Sequence, residues 1–348
     1  MQSYFFVLGR ENKISQKEIE SVLANFDFYF PATRGVKYSI SILNQEVLEI
    51  KFSREADSEI IKLIGILGGT VKIFKKIVNS SKDNLLPECL KIIKNSQGRV
   101  IFGISNYCRC RSGPDIFRLG LEIKKKLKES GKFSRYIDGK GLGRLSSAQS
   151  FHYKFDRQGI EIGVFASGIG KLIAVQNIDD WSHRDYGKPR SDARSGMLPP
   201  KLARMMINLA LGQIERSKIK NQRSKLIVVD PFCGSGNILI EALILGCSVN
   251  GSDISEKAMA DTKENLNWAA KNLNLRRDYR VLKADATKFD FGAIHGNFLV
   301  VTEPYLGRPR RYKLTIGEKK EVASEASKLY LDFLQNAVYY NITFHLNQ

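Results

Sequence analysis

At 348 residues, with 43% hydrophobic and 26% charged side chains, the chain has the composition of a globular protein long enough for two or three domains. No apolar run approaches the roughly 18 residues a membrane helix needs, and MQSYFFVLGRENK lacks the basic start and long apolar middle of a signal peptide. A net charge of +19 favours a polyanionic partner, because each Lys or Arg placed on a phosphate releases condensed counterions.

A reducing, cytoplasmic setting with no membrane association is the expectation, with the five cysteines as thiols. Cys108 and Cys110 form a lone C-x-C without a second pair at zinc spacing, so no metal is expected. A generally basic proteome would also raise the charge sum, so the placement of the charges carries more information than their total.

In chain order the opening reads strand, turn, helix. Tyr4–Leu8 is apolar, GRENK is turn-like, and Ser15-Gln16-Lys17-Glu18 has the form of a capping box before a helix to about Leu23. Alternation near Tyr38–Ile42 and Val47–Phe52 predicts strands, followed by an apolar helix around Ala56–Ile64 and a strand over Val71–Ile77. This mixture predicts a small α+β domain over residues 1–80.

A second domain is expected over 81–177, with a helix from Leu85 to Ile93, a strand Arg99–Ser105 and an amphipathic helix from about Pro114 to Glu129. That helix carries Lys124, Lys125, Lys126 and Lys128, and the next segment adds Lys132, Arg135, Lys140 and Arg144. Such a run is usually a solvated helix face. Here it continues into the loop DGKGLGRLSSAQ, where glycine lets backbone approach a phosphate closely. Lys124, Lys125, Lys128 and Arg144 are therefore candidate contacts to a nucleic-acid backbone. Ile160–Phe165 and Ile169–Val175 read as a hairpin around Ser167-Gly168.

Residues 178–200 read as a polar linker with Trp181 and Tyr186 set among arginines, of which Arg184 and Arg190 join the candidate nucleic-acid contacts. Aromatics interleaved with Arg can clamp nucleotides, or they can pack against a domain; both readings stand. Pro199-Pro200 then opens a helix to about Ile214, whose Leu202, Met205, Met206 and Leu209 recur at helical spacing as core.

From Lys225 the pattern alternates strand and helix. A buried strand, Leu226–Val229, runs into Asp230-Pro231-Phe232-Cys233-Gly234-Ser235-Gly236 and an apolar helix. A strand that ends in an acid and a Gly-rich turn opening a helix is the nucleotide-cradling unit of a doubly wound sheet. A second strand ends in Asp253, placed to accept from ribose hydroxyls, a third in Asp285, and a fourth at Thr302. Turn formation after a strand is the bland alternative for Asp253 and Asp285. The NAD fingerprint is not completed, because the position three after Gly236 is Leu239. This argues for a different nucleoside cofactor.

DPFCGSG resembles the cofactor loop of S-adenosylmethionine-dependent RNA methyltransferases, specifically the THUMP-containing group. RDYGKPRSDARSGMLPPKLARMMINLA resembles the segment joining the two halves of tRNA guanine-10 N2-methyltransferases, and YFFVLGRENKIS resembles their N-terminal start. The resemblance implies an α/β, Rossmann-like class I methyltransferase domain over 201–348, preceded by an α+β ferredoxin-like and THUMP RNA-binding module that binds tRNA. It implies S-adenosylmethionine as cofactor, with Asp230, Gly234 and Gly236 framing its methionine portion. Asp253 would hold the ribose and Asp285 would lie near the adenine, with Pro231, Phe232, Cys233, Ser235, Ile254 and Ala286 completing the set.

The family's fourth strand ends in Asp/Asn-Pro-Pro-Tyr/Phe, which orients an exocyclic guanine amine and stacks the base. This chain has Thr302-Glu303-Pro304-Tyr305. Pro304 and Tyr305 match; Thr302 offers only a hydroxyl, and Glu303 is expected to take over amine orientation while Tyr305 stacks. Arg308, Arg310 and Arg311 behind the tip are phosphate contacts or a solvated loop.

The chain ends in VYYNITFHLNQ, and the last two or three strands of the seven that the resemblance implies are expected to be missing. The expectation is therefore a truncated product, or a partner subunit completing the sheet, with a monomer otherwise. Two rival functions share these features: an inactive RNA-binding paralogue, and a methyltransferase of another RNA or DNA amino group.

Overall fold

The computed structural model describes residues 1–79, 85–96, 98–108, 115–191, 197–214, 226–275, 278–305, 307, 314–340 and 342. Among these, no helix is long and apolar enough to cross a membrane. The chain forms two compact units, Met1–Ile19 with Tyr29–Asp180 and Glu20–Phe28 with Trp181–Gln348.

The first part of the chain runs β1 (Gln2–Leu8), α1 (Asn12–Ala24), α2 (Phe26–Tyr29), β2 (Tyr38–Asn44), β3 (Val47–Phe52), α3 (Asp57–Ile66) and β4 (Thr70–Val78). It continues with α4 (Leu85–Lys94), β5 (Val100–Asn106), α5 (Ile116–Glu129), β6 (Ser134–Ile137), α6 (Ser147–His152), β7 (Ile160–Phe165) and β8 (Gly168–Val175). Its eight strands form one sheet in the order β2-β3-β1-β4-β8-β7-β5-β6. Residues 1–80 supply one contiguous half of that sheet and residues 81–177 the other, joined by the antiparallel β4–β8 pair. β1 lies inside the first half, and Tyr4–Leu8, apolar at every position, is buried throughout.

Two departures from local sequence signals have clear causes. α1 begins at Asn12, so Ser15 lies inside the helix and its hydroxyl donates to the Glu11 carbonyl at 2.6 Å. Glu18 is not a capping side chain: it is buried and accepts from the backbone N–H groups of Gly68 and Gly69 at 2.7 and 2.8 Å. The short elements β6 and α6 were not anticipated, although α6 carries a true capping box from Ser146 to Gln149.

Near the β4–β8 seam, Lys72 and Glu161 form a buried ion pair at 2.6 Å. Ser105 donates to the same carboxylate at 2.6 Å, and Lys72 also donates to the Leu145 carbonyl at 2.9 Å. Leu145 N–H in turn donates to Ser105 Oγ at 3.0 Å, so the exit of the Gly-rich loop is pinned through both its backbone groups. Arg144 beside it is 44% exposed and pairs with Glu46 at 2.7 Å. Lys124, Lys125 and Lys128 lie on the exposed face of α5.

The second part contains α7 (Ile178–Tyr186), α8 (Pro200–Gly212), β9 (Leu226–Asp230), α9 (Asn237–Ile244), β10 (Ser248–Asp253), α10 (Glu256–Asn272), β11 (Tyr279–Lys283), β12 (Asn297–Val300) and α11 (Ile316–Tyr339). α7 occupies the first half of what reads as a linker. The four strands described are parallel, in the order β11-β10-β9-β12. Phe289, Phe291, Phe333 and Ala337 form a buried cluster with Val229 on one face of this sheet. The chain steps outward from β9 through β10 to β11 and then returns to the other side of β9 for β12. The crevice beyond the carboxyl ends of β9 and β12 is thus the topological switch point, where open parallel sheets bind ligands. Residues 341 and 343–348, on which the expected C-terminal incompleteness rests, lie outside the described residues.

Candidate functional site

A cavity of about 770 Å³ opens at this switch point, within the range of small-molecule sites. Asp230, Pro231, Phe232, Cys233, Gly234 and Ser235 line it, together with Asp253, Ile254, Asp285, Ala286, Glu303, Pro304 and Tyr305. Of the residues expected in the cofactor set, only Gly236 is absent from the wall. It adopts φ +84°, where a β-carbon would be strained and would meet Thr262 at 3.0 Å, and it caps α9. The wall also includes Met197, Leu198, Pro199, Leu202, Lys257 and Asp261, which the motif did not single out.

The loop is tied down from below and behind. Cys233 N–H donates to the Ser252 carbonyl at 2.9 Å and Thr262 Oγ1 donates to the Gly234 carbonyl at 2.6 Å. Asp253 accepts from Gly234 N–H at 3.1 Å on one oxygen and from Ser255 N–H at 2.9 Å on the other. Asp285 accepts from the N–H and hydroxyl of Thr287 at 2.9 and 2.8 Å, bonds that hold its carboxyl below the usual range. Both acids therefore shape turns, and both line the cavity.

Asp230 differs from them. It is fully buried, and burial pushes its carboxyl up to about 7, with the Asp253 and Glu303 charges adding to the rise. The Thr302 hydroxyl donates to its Oδ1 at 2.7 Å and Phe232 N–H to the same oxygen at 3.1 Å, and both bonds oppose the rise. Thr302 itself turns toward Asp230. Burial beside Asp230 also pushes the Cys233 thiol up, which keeps it protonated and unreactive.

The segment before α8 is stitched over the loop by two buried asparagines that sequence reading missed. Lys188, buried and pushed down to about 8 by its desolvation, donates to Asn237 Oδ1, while Asn237 Nδ2 donates to the Leu198 carbonyl at 2.7 Å. Asn265 accepts from Arg190 N–H at 2.9 Å and donates to the carbonyls of Arg190 and Ser235, each at 2.9 Å. Only the position of Asn237 directly after the glycine turn hinted at such a role.

Arg184 requires a correction. Its guanidinium is buried, pairs with Glu241 at 2.7 Å and lies 4.1 Å over the Trp181 ring. Arg204 binds the second Glu241 oxygen at 2.5 Å and also faces Trp181. Arg184, Arg204 and Trp181 therefore pack into this unit, and Arg184 has little surface left for a phosphate, whereas Tyr186 is 81% exposed. Arg190 is 55% exposed and pairs with Glu264 at 2.7 Å. Arg308, Arg310 and Arg311 lie outside the described residues, as does Cys110.

On the β12 side, Tyr330 of α11 donates its hydroxyl to the Tyr305 carbonyl at 2.7 Å, leaving the Tyr305 ring 46% exposed. Tyr330→Phe is expected to speed amide hydrogen exchange in the segment from Thr302 to Tyr305, while global stability falls by only about 1 kcal/mol, the net worth of one such bond. Mass-resolved exchange on the full chain checks this.

Residues 188–337 match the UPF0020 family, the RMKL-like methyltransferase domain. The chain is 34% identical over 142 residues to a tRNA (guanine(10)-N2)-dimethyltransferase of Methanothermobacter thermautotrophicus, covering 41% of this chain and 34% of that protein. Enzymes of the same name from Pyrococcus abyssi (32% over 151 residues, 42% of this chain and 40% of the relative) and Methanocaldococcus jannaschii (31% over 163 residues, 44% and 43%) are similarly related. The chain thus spans less than half the length of the curated relatives it matches. The cavity's Gly-rich loop, the strand tips and the tyrosine-bearing helix all fall within residues 188–337, the part of the chain that is similar to the RMKL-like methyltransferase domain.

Proposed function

We propose that the chain is an S-adenosylmethionine-dependent methyltransferase of a guanine exocyclic amine (N2) in tRNA, acting at position 10. The observation that carries this reading is the charge of the cavity. In a chain of net charge +19, the described cavity wall holds Asp230, Asp253, Asp261, Asp285 and Glu303 against Lys257 alone. Such a wall fits a nucleoside ligand that is itself cationic, and the glycine at 234 lets it approach the backbone.

S-adenosylmethionine supplies a methyl group on a positively charged sulfur. The chain's own part is to bind and orient. Asp230 holds cationic charge, Asp253 accepts from ribose hydroxyls, and Asp285 with Ala286 bounds the adenine end. Glu303 accepts hydrogens of the base amine, and Tyr305 stacks on a base that has left its helix. The basic N-terminal unit, read as ferredoxin-like and THUMP halves, holds the tRNA through its exposed α5 lysines and Arg144. The departure at Thr302-Glu303 favours one second reading, an RNA-binding protein without transfer.

Calorimetry with S-adenosylmethionine separates the two. The carboxyl of Asp230 lies above its ordinary 3.8, at about 7, so the folded state holds this proton more tightly than the unfolded chain does. Its ionisation therefore costs the ligand-free fold stability as pH rises from about 4 to about 7, and a cationic ligand recovers that cost. About a tenth of the sites are ionised at pH 6 and about nine-tenths at pH 8, so affinity should be about tenfold weaker at pH 6. No binding at high micromolar ligand at either pH would sink the enzyme reading.

A further inference from the structure

Thr302 stands where the resembling enzymes carry an acidic or amide side chain, and that position predicts an acceptor for the base amine. A donating hydroxyl keeps its acceptor lone pairs, but Thr302, unlike Glu303, Pro304 and Tyr305, is not among the residues that line the cavity. The Thr302 O–H donates to Asp230 Oδ1 at 2.7 Å, joining two residues 72 apart in sequence at the tips of adjacent strands. Phe232 N–H reaches the same oxygen from within the glycine loop at 3.1 Å. Oδ1 is thereby held from both sides of the switch point. Among the described residues, no donor is found for Oδ2, and Asp230 lines the cavity.

We propose that Thr302 is a positioning residue of the cofactor end of the site: it fixes the Asp230 carboxylate so that Oδ2 is presented to the cationic ligand, and it is not an acceptor for the base. A hydroxyl bonded to a carboxylate is charge-assisted and directional. A carboxylate whose first oxygen is fixed by two donors has one rotational setting, so its second oxygen need not be ordered when ligand arrives. The identity of the ligand rests on the function proposed above; the geometry of the pair does not.

The charged and titratable groups facing Asp230 are Asp253 at the tip of β10, Glu303 beyond β12 and Cys233 in the loop. None is a cation, so the two hydrogen bonds are what favour its ionised form. Thr302→Val keeps the side-chain volume and removes one of them.

Calorimetric titration of S-adenosylmethionine into the full chain between pH 6 and pH 9 tests this. Thr302→Val is expected to bind about fivefold more weakly at pH 7, with the midpoint of its pH profile moved up by about one unit. Thr302→Ser, which restores the hydroxyl, should return both values to within about twofold of wild type; Thr302→Ala is a second removal variant should the valine chain not fold. At pH 9 and saturating cofactor, Thr302→Val should transfer methyl to an unmodified tRNA transcript within about threefold of the wild-type kcat. Wild-type affinity and pH profile in Thr302→Val, or a kcat loss at every pH that serine does not rescue, would overturn the proposal. Should the wild-type chain bind no S-adenosylmethionine, the functional reading fails. Carbon-13 titration of the Asp230 carboxyl in wild type and Thr302→Val then decides the positioning role by itself, an unchanged midpoint counting against it.

Discussion

Glu241→Leu is expected to destabilise the second unit by about 3–5 kcal/mol, because removing one member of a buried ionic group takes away charge compensation that water cannot replace there. Glu241 lies between two buried guanidiniums, with Arg184 at 2.7 Å and Arg204 at 2.5 Å. Lys188 is buried and Lys201 part-buried close by, and burial pushes both below their ordinary values. At about 2–4 °C per kcal/mol for a unit of this size, the thermal midpoint should fall by on the order of 10 °C. The chain's two tryptophans, Trp181 and Trp268, both lie in this unit, so intrinsic fluorescence follows its unfolding without interference from the first. The combined change Arg184→Met, Glu241→Leu, Arg204→Met should recover most of the loss, since well-packed apolar side chains often match a buried ionic group in stability. If the triple variant were as unstable as the single one, the loss would lie in packing around Trp181 and not in uncompensated charge.

The triad also shows where sequence reading stops. Strand tips were legible because a parallel, buried strand is a short apolar run that must end where a polar residue meets solvent. Hence Asp230, Asp253, Asp285 and the 302–305 segment all fall at one sheet edge, as expected. The glycine loop was legible because a turn at φ +84° leaves few alternatives to glycine at position 236. Side-chain partners were not legible. Arg184 and Glu241 are 57 residues apart, and Thr302 and Asp230 are 72 apart. Which way each turns is set by burial, which no local pattern records. The same limit misplaced Ser15-x-x-Glu18, whose spacing fits a capping box while its carboxylate serves Gly68 and Gly69 instead.

On the function proposed above, Glu303→Gln should lower methyl transfer by about a hundredfold in kcat, the scale on which misplacing a reacting group is felt in oriented reactions. With Thr302 committed to Asp230, Glu303 is the acidic side chain left at the β12 tip, and it lines the cavity beside Tyr305. An exocyclic guanine amine is a poor nucleophile because its lone pair is delocalised into the ring, so acceptors that hold its hydrogens contribute chiefly by orientation. The same substitution should act in the opposite direction on cofactor binding. The Glu303 charge raises the Asp230 carboxyl, so removing it moves the midpoint of the binding profile downward and strengthens binding at pH 6. Tyr305→Ala, in contrast, should leave cofactor affinity and its pH profile unchanged while weakening kcat/KM for tRNA by the worth of one stacked base, about 1–3 kcal/mol. Near-normal kcat in Glu303→Gln would remove the carboxylate from the chemistry. A cofactor profile that failed to move would show that Glu303 faces away from Asp230, and the two readouts together fix which end of the cavity this side chain serves.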